Sequence, residues 1–109
     1  MILLCFDVDG TLDCSGGPVP VRLLESLHAA GVALFIVSPS GAYQGDLPRQ
    51  SDLPTREANL LAARDRAADA FRQAAVRLYV SDNKDYAQAS AAGFCYIEAS
   101  DFAKGNYTL

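Results

Sequence analysis

Asp7-Val8-Asp9-Gly10-Thr11 follows the apolar run Ile2-Leu3-Leu4-Cys5-Phe6, so two carboxylates two residues apart stand at the end of a buried-strand pattern. Asp82 and Asp85 follow a second such run, Val76-Arg77-Leu78-Tyr79-Val80. Four carboxylates brought together without a cation repel one another and raise some of their own pKa values. A hard divalent cation with oxygen ligands removes the conflict, and magnesium suits a site of few carboxylates completed by water and a phosphate. Beside such an ion one carboxylate can attack phosphorus, because the cation offsets the repulsion between two anions. The other acid of the pair can protonate the leaving oxygen and later activate water. Gly10 lets the chain turn tightly, and the hydroxyls of Thr11 and Ser38 can donate to phosphate oxygens.

These residues need a scaffold that gathers strand ends. Leu23, Leu24, Leu27 and Ala30 recur at helical spacing, and Gly31 supplies the stop. Val32 to Val37 reads as a second buried strand, closed by Ser38-Pro39. A helix begins after Thr55, a capping residue, with Glu57 in its first turn. Its apolar stripe is expected at Leu61, Ala68, Phe71 and Ala75, with Arg64, Asp65, Arg66 and Asp69 solvated. Val76 to Val80 is a third strand, Tyr86 to Ala92 a short helix stopped by Gly93, and Phe94 to Ile97 a fourth strand. The tail from Ser100 adds about one helical turn. Strands separated by helices imply crossovers and a parallel sheet, with ligands at the carboxyl ends of the strands. The expected fold is one α/β domain spanning residues 1–109, a three-layer α/β/α Rossmann-like unit on a short, mostly parallel sheet of about four strands.

Asp7-Val8-Asp9-Gly10-Thr11-Leu12 resembles the first motif of the haloacid dehalogenase (HAD) superfamily, including the apolar strand before it. Phe35-Ile36-Val37-Ser38 is similar to its second motif, and Tyr79-Val80-Ser81-Asp82-Asn83-Lys84-Asp85 to its fourth, with Ala91-Ala92-Gly93 at the familiar distance behind. The motifs stand in the family order and cover nearly the whole chain. The resemblance implies a magnesium-dependent phosphatase in which Asp7 is the nucleophile, forming an aspartyl-phosphate, and Asp9 the general acid/base. It implies that Asp7, the Asp9 backbone carbonyl and Asp82 hold the metal. Asp85 would bind metal water or orient the site, and Ser38 would hold the transferred phosphoryl group.

The chain departs from the family pattern in four ways. Ser81 stands where the family has glycine before its fourth-motif acid, and Asp82 and Asp85 are three residues apart where many members have four. No lysine precedes residue 84, so the third-motif cation is expected at Arg56, which lies at a plausible distance, with Arg49 and, swinging in from behind the third strand, Lys84 as alternatives. Between Pro39 and Ser81 the family's usual extra strand and helix are missing, which leaves the Val32–Val37 strand at the sheet edge. An apolar edge is a pairing hazard unless covered. The segment from Pro39 to Pro54, with Pro39, Gly41, Gly45 and Pro48, is therefore expected to fold over it, or a second copy of the chain to form a homodimer there. No insertion large enough for a cap domain interrupts the motifs. By analogy, capless members act on large substrates or borrow a neighbouring subunit.

Composition limits the alternatives. The chain has 109 residues, 50% of them apolar, with 9 Lys plus Arg against 13 Asp plus Glu, a formal net charge of -4. That balance opposes phosphate-directed nucleic-acid binding. No apolar run approaches the length of a membrane span, and none reads as a secretory signal. Three cysteines, an odd number in or beside strand-like runs, suggest reduced thiols and a cytoplasmic protein. Cys5 and Cys95 are expected in the core and Cys14 on a flap, and His28 at a helix end complements the dipole rather than serving catalysis. Two rival functions remain: a non-catalytic domain of the same fold that binds metal or a partner, and a phospho-accepting signalling domain. The latter needs its accepting acid on a middle strand and a lysine after a late one, whereas Ser38 ends the second strand here and Glu98 follows the fourth.

Overall fold

A computed structural model describes residues 2–67 and 76–106. Four strands form one sheet: β1 (Ile2–Phe6), β2 (Ala33–Ile36), β3 (Val76–Ser81) and β4 (Cys95–Glu98). All neighbours are parallel and the order is β2-β1-β3-β4. Helix α1 (Val21–Ala29) joins β1 to β2, and α2 (Arg56–Arg66) lies between β2 and β3. Helix α3 (Tyr86–Ala91) joins β3 to β4, and α4 (Ala99–Lys104) follows β4 directly. The chain is thus a three-layer α/β fold.

The continuous apolar runs are explained by burial on both faces. Leu4, Phe6, Leu34, Ile36, Leu78 and Val80 face a core completed by Leu24 of α1 and Ala99 and Phe102 of α4. The intervening residues Leu3, Cys5, Phe35 and Tyr79 face the other core, with Leu60 and Ala63 of α2 and Ala89 of α3. Period-two alternation therefore puts apolar groups on both sides of each strand. Phe6 and Phe102 meet edge to face at 5.4 Å, which locks α4 against β1.

Several expectations shift in detail. The buried stripe of α2 runs through Asn59, Leu60 and Ala63, with Leu61 only half-buried beside it. The expected continuation at Ala68, Asp69, Phe71 and Ala75 lies outside the described residues. Cys95 is exposed, because it opens the edge strand β4, while Cys5 is buried and Cys14 exposed. The arginines of α2 are not a purely solvated face. Arg64 donates to the Ala92 carbonyl at 3.5 Å, and Arg66 donates to the Arg49 carbonyl at 2.7 Å and to Gln50 Oε1 at 3.0 Å.

β2 is the other edge strand, and the loop after it covers its upper end. Ile36 N donates to the Pro48 carbonyl and Gln50 N donates to the Ile36 carbonyl, each at 2.8 Å, so residues 48–50 add a short parallel bridge. Below it, Ala33, Leu34 and Phe35 border a groove of about 300 Å³ shared with His28, Pro48 and Arg66. Arg66 lies over the Phe35 ring at 5.1 Å. Among the described residues, no helix is long and apolar enough to cross a membrane.

Candidate active site

The chain passes from β1 to β2 on one side, then crosses to β3 on the other, so the order of the sheet reverses between β1 and β3. Crevices at the carboxyl ends of strands form at such switch points. Phe6 pairs with Val80 in register, and Asp7 N donates to the Val80 carbonyl at 3.0 Å. That register sets Asp7 beside Ser81 and brings Asp82 over the turn that follows Asp7.

The turn itself is built to admit Asp82. Thr11 N and Leu12 N both donate to the Val8 carbonyl at 3.0 Å, and Gly10 adopts φ +72°. An added Cβ at Gly10 would overlap the Asp82 carboxylate, so glycine is required both for the backbone and for the close approach. Thr11 Oγ1 donates to Asp82 Oδ1 at 3.3 Å. The flap after the turn is tied back, with Ser15 Oγ donating to the Val8 and Leu12 carbonyls. Asp13 Oδ1 accepts from Val21 N at 3.1 Å and so serves the otherwise uncapped start of α1.

Asp7 is almost fully buried, and protein groups hold both its oxygens. Arg56, the first residue of α2, reaches Oδ1 with its Nη2 at 3.3 Å while its Nη1 donates to the Val37 carbonyl at 2.5 Å. Asn83 Nδ2 donates to Oδ2 at 2.8 Å, and Ser81 Oγ lies 3.4 Å from the same oxygen. Burial pushes the Asp7 carboxyl above its ordinary pKa, and Asp82 and Asp85 push it further. Arg56 and the backbone N–H of Val8 pull it back only in part. Of the three cations considered for the third motif, Arg56 is the one paired with Asp7. Arg49 instead binds three carbonyls of its own loop, and Lys84 enters through its backbone, whose N–H donates to the Tyr96 hydroxyl at 3.0 Å. Lys84 has φ +55°, a left-handed conformation in which a side chain costs about 1 kcal/mol.

The remaining predicted residues take separate places. Asp9 is exposed and its Oδ1 accepts from Ser40 Oγ at 2.6 Å. Ser38 is buried, and its Oγ accepts from Ser40 N at 3.2 Å. Asp85 Oδ2 accepts from the Tyr79 hydroxyl at 3.0 Å and lies 3.3 Å from Ser81 Oγ, so it sits behind Asp7 as a support. Burial raises the Tyr79 hydroxyl pKa strongly, which keeps it a donor. Ser81, Asn83 and Ser40 were not singled out by the sequence as chemistry. Ser81 carried one signal, its place where the family has glycine: its hydroxyl, which also accepts from Asn83 N at 3.0 Å, bridges Asp7 and Asp85.

The donors suited to a cation are Asp7 and Asp82, with the Asp9 carbonyl in the same turn. Among the described residues no three His, Cys, Asp or Glu side chains converge as a ready-made cage. Two carboxylates with backbone oxygen and water match magnesium, which keeps several of its waters, better than they match zinc or calcium. Comparison with known proteins returns no matching family model, no matching curated protein and no matching solved structure.

Proposed function

We propose that the chain is a magnesium-dependent phosphohydrolase of the HAD type, working through an aspartyl-phosphate at Asp7 on a phosphorylated substrate. The observation that carries this reading is the buried Asp7 carboxylate, paired with Arg56 and adjoining Asp82 at the β1/β3 switch point. A structural ion pair alone gives no reason for a glycine that admits a second carboxylate beside the first.

Asp7 and Asp82, with the Asp9 carbonyl, would hold the ion, which when bound supplies positive charge to offset the repulsion between Asp7 and a phosphate dianion. Asp7 is the nucleophile: it forms a bond to phosphorus while the bond to the leaving oxygen breaks. Arg56 neutralises the anion that gathers there, and its grip on the Val37 carbonyl keeps the guanidinium in place. Asn83 and Ser81 hold the Asp7 carboxylate in one rotamer. Asp9 gives a proton to the departing oxygen and then takes one from the water that splits the acyl-phosphate. Ser38, whose Oγ accepts from Ser40 N and keeps its own proton, offers a hydroxyl donor to the phosphoryl oxygens, whereas Thr11 spends its proton on Asp82. A reducing, cytoplasmic setting suits three free thiols. The open lower part of the β2 edge is the place where a second copy of the chain would pair.

The test is phosphate release from p-nitrophenyl phosphate and a panel of phosphorylated metabolites with magnesium. Wild-type turnover that disappears in Asp7→Asn, together with trapping of a phosphorylated Asp7, supports the reading; equal turnover in that variant overturns it. One observation favours a second reading, a metal- or partner-binding domain without turnover: both oxygens of Asp7 already have protein partners. Stabilisation by magnesium with no ester hydrolysed would select it.

A further inference from the structure

We infer that Ser40 is a positioning residue for Asp9, holding its carboxylate in one orientation, and that this matters most for phosphate esters of aliphatic alcohols. The inference rests on the aspartyl-phosphate reading above and deepens it.

Every polar atom of Ser40 is engaged. Its N–H donates to Ser38 Oγ at 3.2 Å, and its carbonyl accepts from Arg49 Nη1 at 3.1 Å. Its Oγ accepts from Ala42 N at 3.2 Å, which leaves the single hydroxyl proton to point along the 2.6 Å contact to Asp9 Oδ1. With Oδ1 committed as an acceptor, Oδ2 is the oxygen left for a leaving group.

The loop that presents Ser40 is unusually well held for a surface connection. The Arg49 guanidinium also takes the Ser38 carbonyl at 2.7 Å and the Tyr43 carbonyl at 2.6 Å, and it lies over the Tyr43 ring at 5.4 Å. Tyr43 is buried, and its hydroxyl accepts from Leu47 N at 2.9 Å. The bonds from residues 48 and 50 to Ile36 fix Arg49 to the sheet. Ser40 is therefore referenced to β2, and through it Asp9, on an exposed turn after β1, acquires a fixed orientation. An exposed carboxylate with free torsions would spend much of its time pointing elsewhere, and general acid catalysis depends on that geometry.

The proton balance shows where this matters. Asp7 bonds to phosphorus, the ester P–O bond breaks, and Asp9 as general acid gives a proton to the leaving oxygen. Water then attacks phosphorus, its proton returns to Asp9, and the acyl-phosphate bond breaks to release phosphate and free Asp7. An aliphatic alkoxide leaves poorly without that proton, whereas p-nitrophenolate leaves without it. The kcat/KM, which reports steps through the first bond cleavage, should separate the two.

The experiment compares kcat/KM for glycerol phosphate and p-nitrophenyl phosphate, with magnesium, in the full chain and in Ser40→Ala, Ser40→Cys and Ser40→Thr. Ser40→Ala should lose about tenfold or more on glycerol phosphate and about twofold or less on p-nitrophenyl phosphate, and Ser40→Thr, which keeps the hydroxyl, should restore most of the loss. Ser40→Cys, nearly isosteric but a weak donor, should behave like Ser40→Ala and replaces it if the alanine variant does not fold. Equal losses on both esters, or none, overturn the inference and leave the phosphohydrolase reading standing. A wild-type chain active on p-nitrophenyl phosphate alone does the same. A wild-type chain that hydrolyses neither ester overturns the inference, and one that also releases no phosphate from the wider panel overturns the phosphohydrolase reading as well.

Discussion

The guanidinium of Arg56, at the start of α2, lies 3.3 Å from the carboxylate of Asp7, at the end of β1, and grips the Val37 carbonyl with its other nitrogen. One side chain thus ties a helix, the edge strand and the buried acid. Arg56→Met should slow turnover about a hundredfold or more, as loss of a preorganised charge at a reacting centre does. It should also cost about 1–3 kcal/mol of stability, the range for a charged hydrogen bond lost at a buried acceptor. Repeated in an Asp7→Asn background, the same substitution should cost less, and the difference in denaturant midpoints measures the coupling. Additive losses would mean that Arg56 serves Val37 alone.

Asp7 pays for its position in stability. Its pKa is raised above 3.8, the ordinary value, because burial outweighs Arg56. Between the unfolded and folded values the native chain binds more protons than the unfolded one, so stability falls as pH rises through that window. Asp7→Asn removes the charge and should be as stable as wild type near pH 3. From about pH 4 upward it should become relatively more stable, with the advantage levelling off above the folded pKa. Thermal melts without divalent cations follow the trend. A constant difference between the two proteins from pH 3 to pH 7 would contradict it.

Magnesium should raise the melting temperature of the wild-type chain by mass action on the folded state. Asp82→Asn should abolish most of that rise, since it removes one of the two carboxylates assigned to the ion, while changing the melt without magnesium little, because Asp82 is exposed. A full magnesium response in this variant would remove Asp82 from the metal site.

Gly10→Ala attacks the same place from the backbone. At φ +72° an alanine is strained by about 1–2 kcal/mol, and its Cβ would displace the Asp82 carboxylate. The expected result is a lower melting temperature together with loss of the magnesium response. Loss of stability with the response intact would show that Asp82 can shift without consequence.

Arg49→Lys keeps the charge but not the fork that collects the Ser38, Ser40 and Tyr43 carbonyls. It should cost about 2 kcal/mol and increase hydrogen exchange at Ala42 N and Leu47 N, which the folded loop protects. Exchange at Leu3 and Leu4, in the centre of the sheet, should stay unchanged at the subglobal level.

Strands β1, β2 and β3, the edge position of β2 and the gathering of Asp7 with Asp82 can all be read in the chain itself. The reason is local: residues buried on both sheet faces must be apolar at every position, so the first polar residue marks the strand end, and in parallel sheets those ends meet. The spacing along the chain points to Arg56 ahead of Arg49 and Lys84, but it does not exclude the other two. All three are cations near the right segments, and only the packing of α2 across the sheet decides which reaches Asp7. The same holds for Ser81, Asn83 and Ser40, whose partners lie 74, 76 and 31 residues away. Hydroxyls and amides have no periodicity to betray them, because each acts through a single hydrogen bond whose direction exists only once distant strand ends share a register. Burial patterns, which repeat along the chain, are written in one dimension; point contacts between loops are settled in three.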